Sequence, residues 1–259
     1  MSTVMITGAC KNTGVDIVER FAAEGCDVVF TGRSLESVRE AEKKYRDKYQ
    51  NVCIIGYQID SLTDDGNVDE KAAEALFKDL DGKGIFVDTL VLNAANQGLG
   101  MKIFESPLSD FVRVINTNML WNYFVSELAA RRMKVHGGGS IIFINSNTAY
   151  RAIPDRIAYS ASKSGQLGMM RAMALDLGKY NIRVNAVLPG MIRTDRWERD
   201  PEFYENVPSR FTPLGDVANG ADIADAAWYF AYRARNTTGA ELTVDGGNTI
   251  QLYPVIDRD

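Results

Sequence analysis

The chain has 259 residues, 46% of them hydrophobic and 24% charged, with a formal net charge of -5. That length suits one α/β domain with a substantial core and leaves little for a second. An acidic balance offers no general attraction to phosphate backbones, which disfavours nucleic-acid binding, and no apolar run reaches the ~20 residues that span a bilayer.

Short β-branched runs alternate with amphipathic stretches, the pattern of repeated βαβ units on a parallel sheet. The opening MSTVMITG enters a strand at 3–7 without the charged-then-apolar order of a leader, so no signal peptide is expected. A glycine-bearing turn, TGACKNTG, leads into a helix at 13–24, followed by a strand at 27–31, a helix at 35–49, a strand at 52–57 and a helix at 66–80. A strand at 87–92, a long helix at 107–135, a strand at 139–145, a helix at 156–179, a strand at 182–188, a helix at 219–233 and a strand at 241–244 complete the order. Runs such as VDTLVLNAA and SIIFIN are apolar on successive residues, as strands covered on both faces are. The expected fold is a Rossmann-like doubly wound parallel sheet of about seven strands in a single domain, 1–259. The one long irregular stretch, 191–218, carries three prolines and several aromatics and is expected to act as a substrate lid.

Cys10, Cys26 and Cys53 are too few and too widely spaced for a zinc site or a disulfide framework, which points to a reducing, cytoplasmic setting. His136 is the only histidine and has no companion for a metal site or a triad, so no metal is expected.

In open α/β sheets the ligand lies beyond the carboxyl ends of the strands, and the first βα turn holds phosphates on a helix N-terminus. Gly8 and Gly14 stand where that turn needs a tight bend and close helix packing, although one of the three expected glycines is missing. Further on, Tyr159 and Lys163 lie four residues apart in YSASK, thirteen residues after Ser146 at the end of GSIIFINS. Free tyrosine titrates near pH ~10, but an ammonium one helical turn away favours the phenolate, so Tyr159 is expected to have a lowered pKa and to act as a general acid/base. Taken alone, the same pair also fits an ordinary helix face.

These motifs resemble the short-chain dehydrogenase/reductase family, in its common branch with a Y-x-x-x-K active site, and the likeness runs in order along the whole chain. The family's opening T-G-x-x-x-G-x-G corresponds to Thr7, Gly8, Asn12 and Gly14, with Asn12 in place of the middle glycine; asparagine is the non-glycine residue that best tolerates positive φ. Thr13 belongs to the same turn. The family's N-N-A-G appears as Leu92, Asn93, Ala94 and Ala95, losing its first Asn and its Gly. Asp60 in YQID, with Ser61, is similar to the acidic position beside the adenine ring; a helix cap is the other reading. NIRVNAVLPGMIRTD matches N-x-V-x-P-G-x-x-x-T, which implies that Pro189 and Gly190 shape the turn beside the nicotinamide, that the Ile192 backbone meets its carboxamide and that Thr194 bonds it or a phosphate. ELTVDGG resembles the family's last strand.

Cofactor choice rests on Lys11 in the glycine turn and Arg33 after the second strand. NAD-selecting proteins place an acid at this strand end, where Gly32 stands here, and an arginine suits a 2′-phosphate, so NADP(H) is expected over NAD(H).

By the resemblance, Ser146, Tyr159 and Lys163 form the active site together with an asparagine of the preceding long helix. Asn118 fits V-x-N-L-x-G better than Asn116 does, with Met119 in the Leu place and Trp121 where the pattern has Gly. Ser146 and Tyr159 then bond one substrate oxygen, Lys163 holds the nicotinamide ribose, and Asn118 holds a water that links Lys163 to solvent. The implied function is an NADP(H)-dependent oxidoreductase interconverting a secondary alcohol and a ketone, working as a homo-oligomer, tetramer or dimer. The alternative is a catalytically silent nucleotide-binding regulatory protein of the same fold, kept open by the departures at Asn12 and Leu92. A serine hydrolase would need G-x-S-x-G and a suitably placed histidine, and the chain has neither. Met191, Trp197, Phe203, Tyr204 and Phe211 suit a bulky apolar ketone such as a steroid, whereas Arg151, Arg193 and Arg196 suit a sugar acid or carboxylate.

Overall fold

The structure is a computed structural model and describes residues 2–194, 197, 201 and 210–254. Strands β1 (Thr3–Ile6), β2 (Asp27–Gly32), β3 (Ile54–Gln58), β4 (Thr89–Leu92), β5 (Gly139–Ile144), β6 (Ile182–Pro189) and β7 (Glu241–Val244) form one sheet in the order β3-β2-β1-β4-β5-β6-β7. Every neighbouring pair is parallel. Helices α1 (Thr13–Ala23), α2 (Leu35–Lys48), α3 (Glu70–Gly82), α4 (Leu108–Ile115), α5 (Trp121–Val135), α6 (Ile157–Gly178) and α7 (Gly220–Trp228) make the crossovers.

Alternation along each strand divides the core into two layers. Val4 and Ile6 join Ile17, Phe21 and Phe30 on the face covered by α1, α2 and α7, whereas Met5 joins Phe77, Val125, Phe143 and Met170 on the face covered by α3, α5 and α6. Between β1 and β4 the strand order reverses, which opens a crevice at the carboxyl edge of the sheet.

Three elements differ from the sequence-based expectation. The helix expected at 66–80 begins at Glu70, where the Asp69 side chain caps it by accepting Ala72 N–H at 3.0 Å. Asp60 is therefore far from any helix start, which removes its capping reading. The long helices expected at 107–135 and 219–233 are each interrupted or ended by a π turn, Asn116–Leu120 and Tyr229–Arg233. Each π turn rotates the residues after it relative to those before, so the apolar stripe is not continuous.

Of the expected lid, residues 195–196, 198–200 and 202–209 lie outside the described residues, and Arg196, Phe203 and Tyr204 with them. The ends of the segment meet: Ile192 forms a parallel bridge with Ala218, and Arg193 N–H donates to Ala218 O at 2.8 Å.

Candidate cofactor and active site

Because the strands are parallel, the residues that follow them emerge on one edge. Thr7 follows β1, Arg33 β2, Asp60 and Ser61 β3, Asn93 to Ala95 β4, Ser146 β5, and Gly190, Ile192 and Thr194 β6. Thr7 and Asn93 stitch the crevice. Thr7 Oγ1 accepts the N–H groups of Asn93 and Ala94, each at 3.0 Å, and Asn93 Nδ2 donates to the carbonyls of Thr7 (3.1 Å) and Gly8 (2.9 Å). Gly8 has φ +67°, and a Cβ on it would lie 2.9 Å from Ala94 Cα; a Cβ on Gly14 would lie 2.6 Å from Gly8 O. Only glycine fits either place, and the result is a bare backbone cradle at the start of α1, whose Asn12 makes no side-chain cap. Such a cradle fits a pyrophosphate.

Asn12 itself takes φ 51° and ψ -144°, a conformation that glycine adopts freely and other residues adopt at a cost of about 1–3 kcal/mol. Asn12→Gly should therefore stabilise the fold by about 1 kcal/mol and leave NADPH binding at least as tight. Weaker NADPH binding in a fluorescence titration would show that the Asn12 side chain touches the cofactor.

Arg33 and Lys11 are both exposed, as is Asp60, while Thr13 is buried under the turn. A side chain at position 32 would meet Cys10 Sγ at 2.3 Å and Val38 Cγ2 at 2.8 Å, so the place of the NAD-selecting acid is closed by packing as well as empty in sequence. Asp60 accepts Leu62 N–H at a long 3.4 Å, and Ser61 O accepts Asp69 N–H at 3.1 Å. Buried Pro189 leads to Gly190, whose Cβ would lie 2.5 Å from Asp245 Cβ and 3.4 Å from Asn147 Nδ2. The turn after β6 thus abuts the loop that carries Ser146. Thr194 O accepts Trp197 N–H at 2.9 Å.

At the chemical end, Ser146 opens a short 3-10 turn, Asn147–Ala149, and its Oγ accepts Thr148 N–H at 3.2 Å. With that lone pair held by the backbone, the hydroxyl proton is left to donate elsewhere. Helix α6 sets Tyr159 and Lys163 one turn apart, with Lys163 Nζ 5.6 Å from the centre of the Tyr159 ring. Lys163 is 2% exposed and donates from Nζ to Ile144 O at 2.8 Å. Burial lowers its pKa to about 7. Burial raises the Tyr159 pKa, against smaller opposite pulls from a Ser146 hydrogen bond and from Arg156. This corrects the expectation of a tyrosine acidified by its lysine: removal from water acts on both groups and favours the neutral form of each.

Asn118, not Asn116, faces α6. It lies in the π turn, fully buried; its Oδ1 accepts Asn96 N–H at 2.7 Å, and its Nδ2 donates to Asn96 O and Ser162 Oγ, each at 2.9 Å. Its carbonyl accepts from Asn122 Nδ2 at 2.9 Å and Gln166 Nε2 at 2.5 Å. Asn116 instead donates to Gly66 O at 2.9 Å. Asn118 thus ties the segment after β4 to α6 through its carboxamide and its backbone carbonyl. Sequence reasoning missed Asn96, Asn145, Ser162 and Gln166. The available signal was a polar series at helical spacing: Asn118, Asn122 and Ser126 on one helix, Ser162 and Gln166 on the other.

A family model described as enoyl-(acyl carrier protein) reductase matches residues 8–249. The 7alpha-hydroxysteroid dehydrogenase of Escherichia coli is 31% identical over 251 residues, covering 96% of this chain and 94% of that protein. Among solved structures, ElxO with NADP bound matches with TM-score 0.85 at 28% identity over 96% of this chain and 99% of that one. NAD+-bound xylitol dehydrogenase matches with TM-score 0.82 at 26% identity over 95% and 98%. With these matches, the parallel sheet and its glycine cradle are those of a nicotinamide-dependent oxidoreductase. The chain belongs to the short-chain dehydrogenase/reductase family.

Proposed function

We propose that this protein is an NADP(H)-dependent oxidoreductase that interconverts a secondary alcohol and a ketone, as one domain over 1–259 with 191–218 as its substrate lid. The observation that carries the reading is the cluster of Ser146, Tyr159 and buried Lys163 at the carboxyl edge of the sheet. A nicotinamide cofactor held along the crevice by the turn at Gly8 and Gly14 would supply or accept the hydride. Ser146, its Oγ already taking Thr148 N–H, donates its own proton to the substrate oxygen, and Tyr159 gives that oxygen a proton in reduction and removes one in oxidation. Lys163 holds the nicotinamide ribose; its pKa of about 7 lets it gain or lose a proton at working pH and so support the proton exchange of Tyr159. Asn118 positions these groups and holds the water that links Lys163 to solvent. Turnover of NADPH with a panel of ketones tests the reading.

On the cofactor, Gly8, Asn12, Thr13 and Gly14 form the phosphate turn, Asp60 and Ser61 flank the adenine, and Lys11 and Arg33 meet the 2′-phosphate. The closed packing at Gly32 and the exposure of Arg33 support NADP(H). Arg33→Asp should lower kcat/KM for NADPH by about ten- to hundredfold, since a charge-assisted hydrogen bond contributes roughly 1.5–3 kcal/mol, and should shift preference toward NADH. A wild type that prefers NADH would contradict the assignment.

For the substrate, a bulky apolar ketone is favoured over a sugar acid. Both described arginines that would suit a carboxylate are engaged by protein: Arg193 pairs with Asp216 at 2.8 Å and stacks on Trp197, and Arg151 donates to Thr249 O at 2.7 Å. A homo-oligomer in the cytoplasm completes the proposal. Helix α4 leaves Leu108 76% and Val112 43% exposed, an apolar surface that a second copy would cover. No helix among the described residues is long and apolar enough to cross a membrane.

A further inference from the structure

We infer that Asn145 and Gln166 are positioning residues, a pair of buried carboxamides that holds the three elements of the proposed active site in register. The inference rests on the oxidoreductase reading above. Asn145 follows β5 and is 4% exposed; Gln166 lies on α6 and is 1% exposed. The Asn145 Oδ1 accepts Ser146 N–H at 2.8 Å, and its Nδ2 donates to Lys163 O and to Gln166 Oε1, each at 3.0 Å. Gln166 Nε2 then donates to Asn118 O at 2.5 Å. One chain of hydrogen bonds therefore runs from the Ser146 backbone through both carboxamides to Asn118, and touches the Lys163 backbone on the way.

Ser146 sits on the loop after β5, Lys163 on α6 and Asn118 in the π turn before α5, three elements far apart in sequence. Their side-chain chemistry requires fixed separations, and a displacement of about 1 Å can cost about a hundredfold in rate. Packing alone does not call for carboxamides here, since Phe143 on β5 and Leu167 and Met170 on α6, near them in sequence, belong to the apolar layer. In such surroundings a carboxamide is tolerated only when its bonds are made, which fixes the directions of both side chains and of the groups they bond.

Gln166→Leu and Gln166→Glu test this together. Gln166→Leu removes the bridge at every pH, so kcat should fall about ten- to hundredfold while KM and the NADPH dissociation constant stay within about twofold. In Gln166→Glu the protonated carboxyl restores the pattern, its O–H donating to Asn118 O and its C=O accepting from Asn145 Nδ2. Once ionised, it presents two acceptors and turns one against the Asn118 carbonyl. Its kcat should approach wild type at acidic pH and fall about tenfold or more through an ionisation that wild type lacks. Lys163 and Tyr159, the titratable groups of the site, titrate in both proteins and cancel in the ratio of the two profiles. Circular dichroism on the same samples gives the folded fraction, to which turnover is normalised. A Gln166→Leu variant within about threefold of wild-type kcat, or a Gln166→Glu profile parallel to wild type, would overturn the inference. A folded wild type with no turnover on any ketone would sink the oxidoreductase reading first, and this inference with it.

Discussion

Tyr159→Phe should lower kcat at least about a thousandfold and leave the fold and NADPH binding nearly unchanged. The substitution removes one oxygen. The ring keeps its place near Lys163, so neither α6 nor the cradle at Gly8 and Gly14 is disturbed. What disappears is the proton donor and one of the two hydrogen bonds to the substrate oxygen, worth about 10²–10⁴ and 10²–10³ in rate respectively. Raised by burial, the phenol stays protonated at neutral pH until a substrate or a charged Lys163 favours its ionisation, as suits an acid in the reductive direction. Steady-state kinetics on a good ketone and a fluorescence titration with NADPH check both halves. A variant keeping more than about a tenth of wild-type turnover would show that another group is the acid.

Lys163→Met should have two opposed effects. Turnover should fall about a hundredfold or more and NADPH should bind more weakly, because the ribose contact and the charge that supports Tyr159 leave together. Without cofactor, the same variant should be more stable than wild type at neutral and acidic pH. Lys163 has a folded pKa of about 7 against 10.5 in its ordinary state. Below 7 both folded and unfolded chains carry the proton, and the folded one bears the full cost of burying the charge. Between the two values the unfolded chain binds a proton that the folded chain lacks, so stability rises with pH; above 10.5 the cost is gone. The gain from Lys163→Met is on the order of 2–5 kcal/mol near pH ~6 and vanishes near pH ~10.5. Chemical denaturation at those two pH values reads it, and equal stabilities at the acidic one would contradict it.

Much of this was legible in the sequence. Continuous apolar runs such as SIIFIN and VDTLVLNAA marked strands covered on both faces, and β5 and β4 lie inside the sheet. Gly8 and Gly14 were readable because a positive φ and a close backbone approach leave no other residue type. The π turns at Asn116–Leu120 and Tyr229–Arg233 were not, since one extra residue in a helical turn leaves no periodic mark in a short apolar pattern. The start of α3 was misplaced because residues 60–69 form a bridged loop, Leu62 against Val68, whose polar composition resembles the first turn of a helix.

At the site, the residues came from motif order and their electrostatics did not. Spacing shows that Lys163 is near Tyr159; it does not show that Lys163 is buried against Ile144 O, which decides its charge. Asn145 and Gln166 escaped notice because a single polar residue in an apolar stretch looks like noise until its partners across the fold are known.

Transfer of deuterium from NADPH carrying deuterium at both nicotinamide C4 positions to a bulky ketone, followed by mass spectrometry of the alcohol, tests the central claim most directly. The account predicts one deuterium on the carbinol carbon for each NADPH consumed, with one deuterium lost from the cofactor and both processes abolished together in Tyr159→Phe. NADPH bound without turnover, or consumed without label in the alcohol, would contradict it.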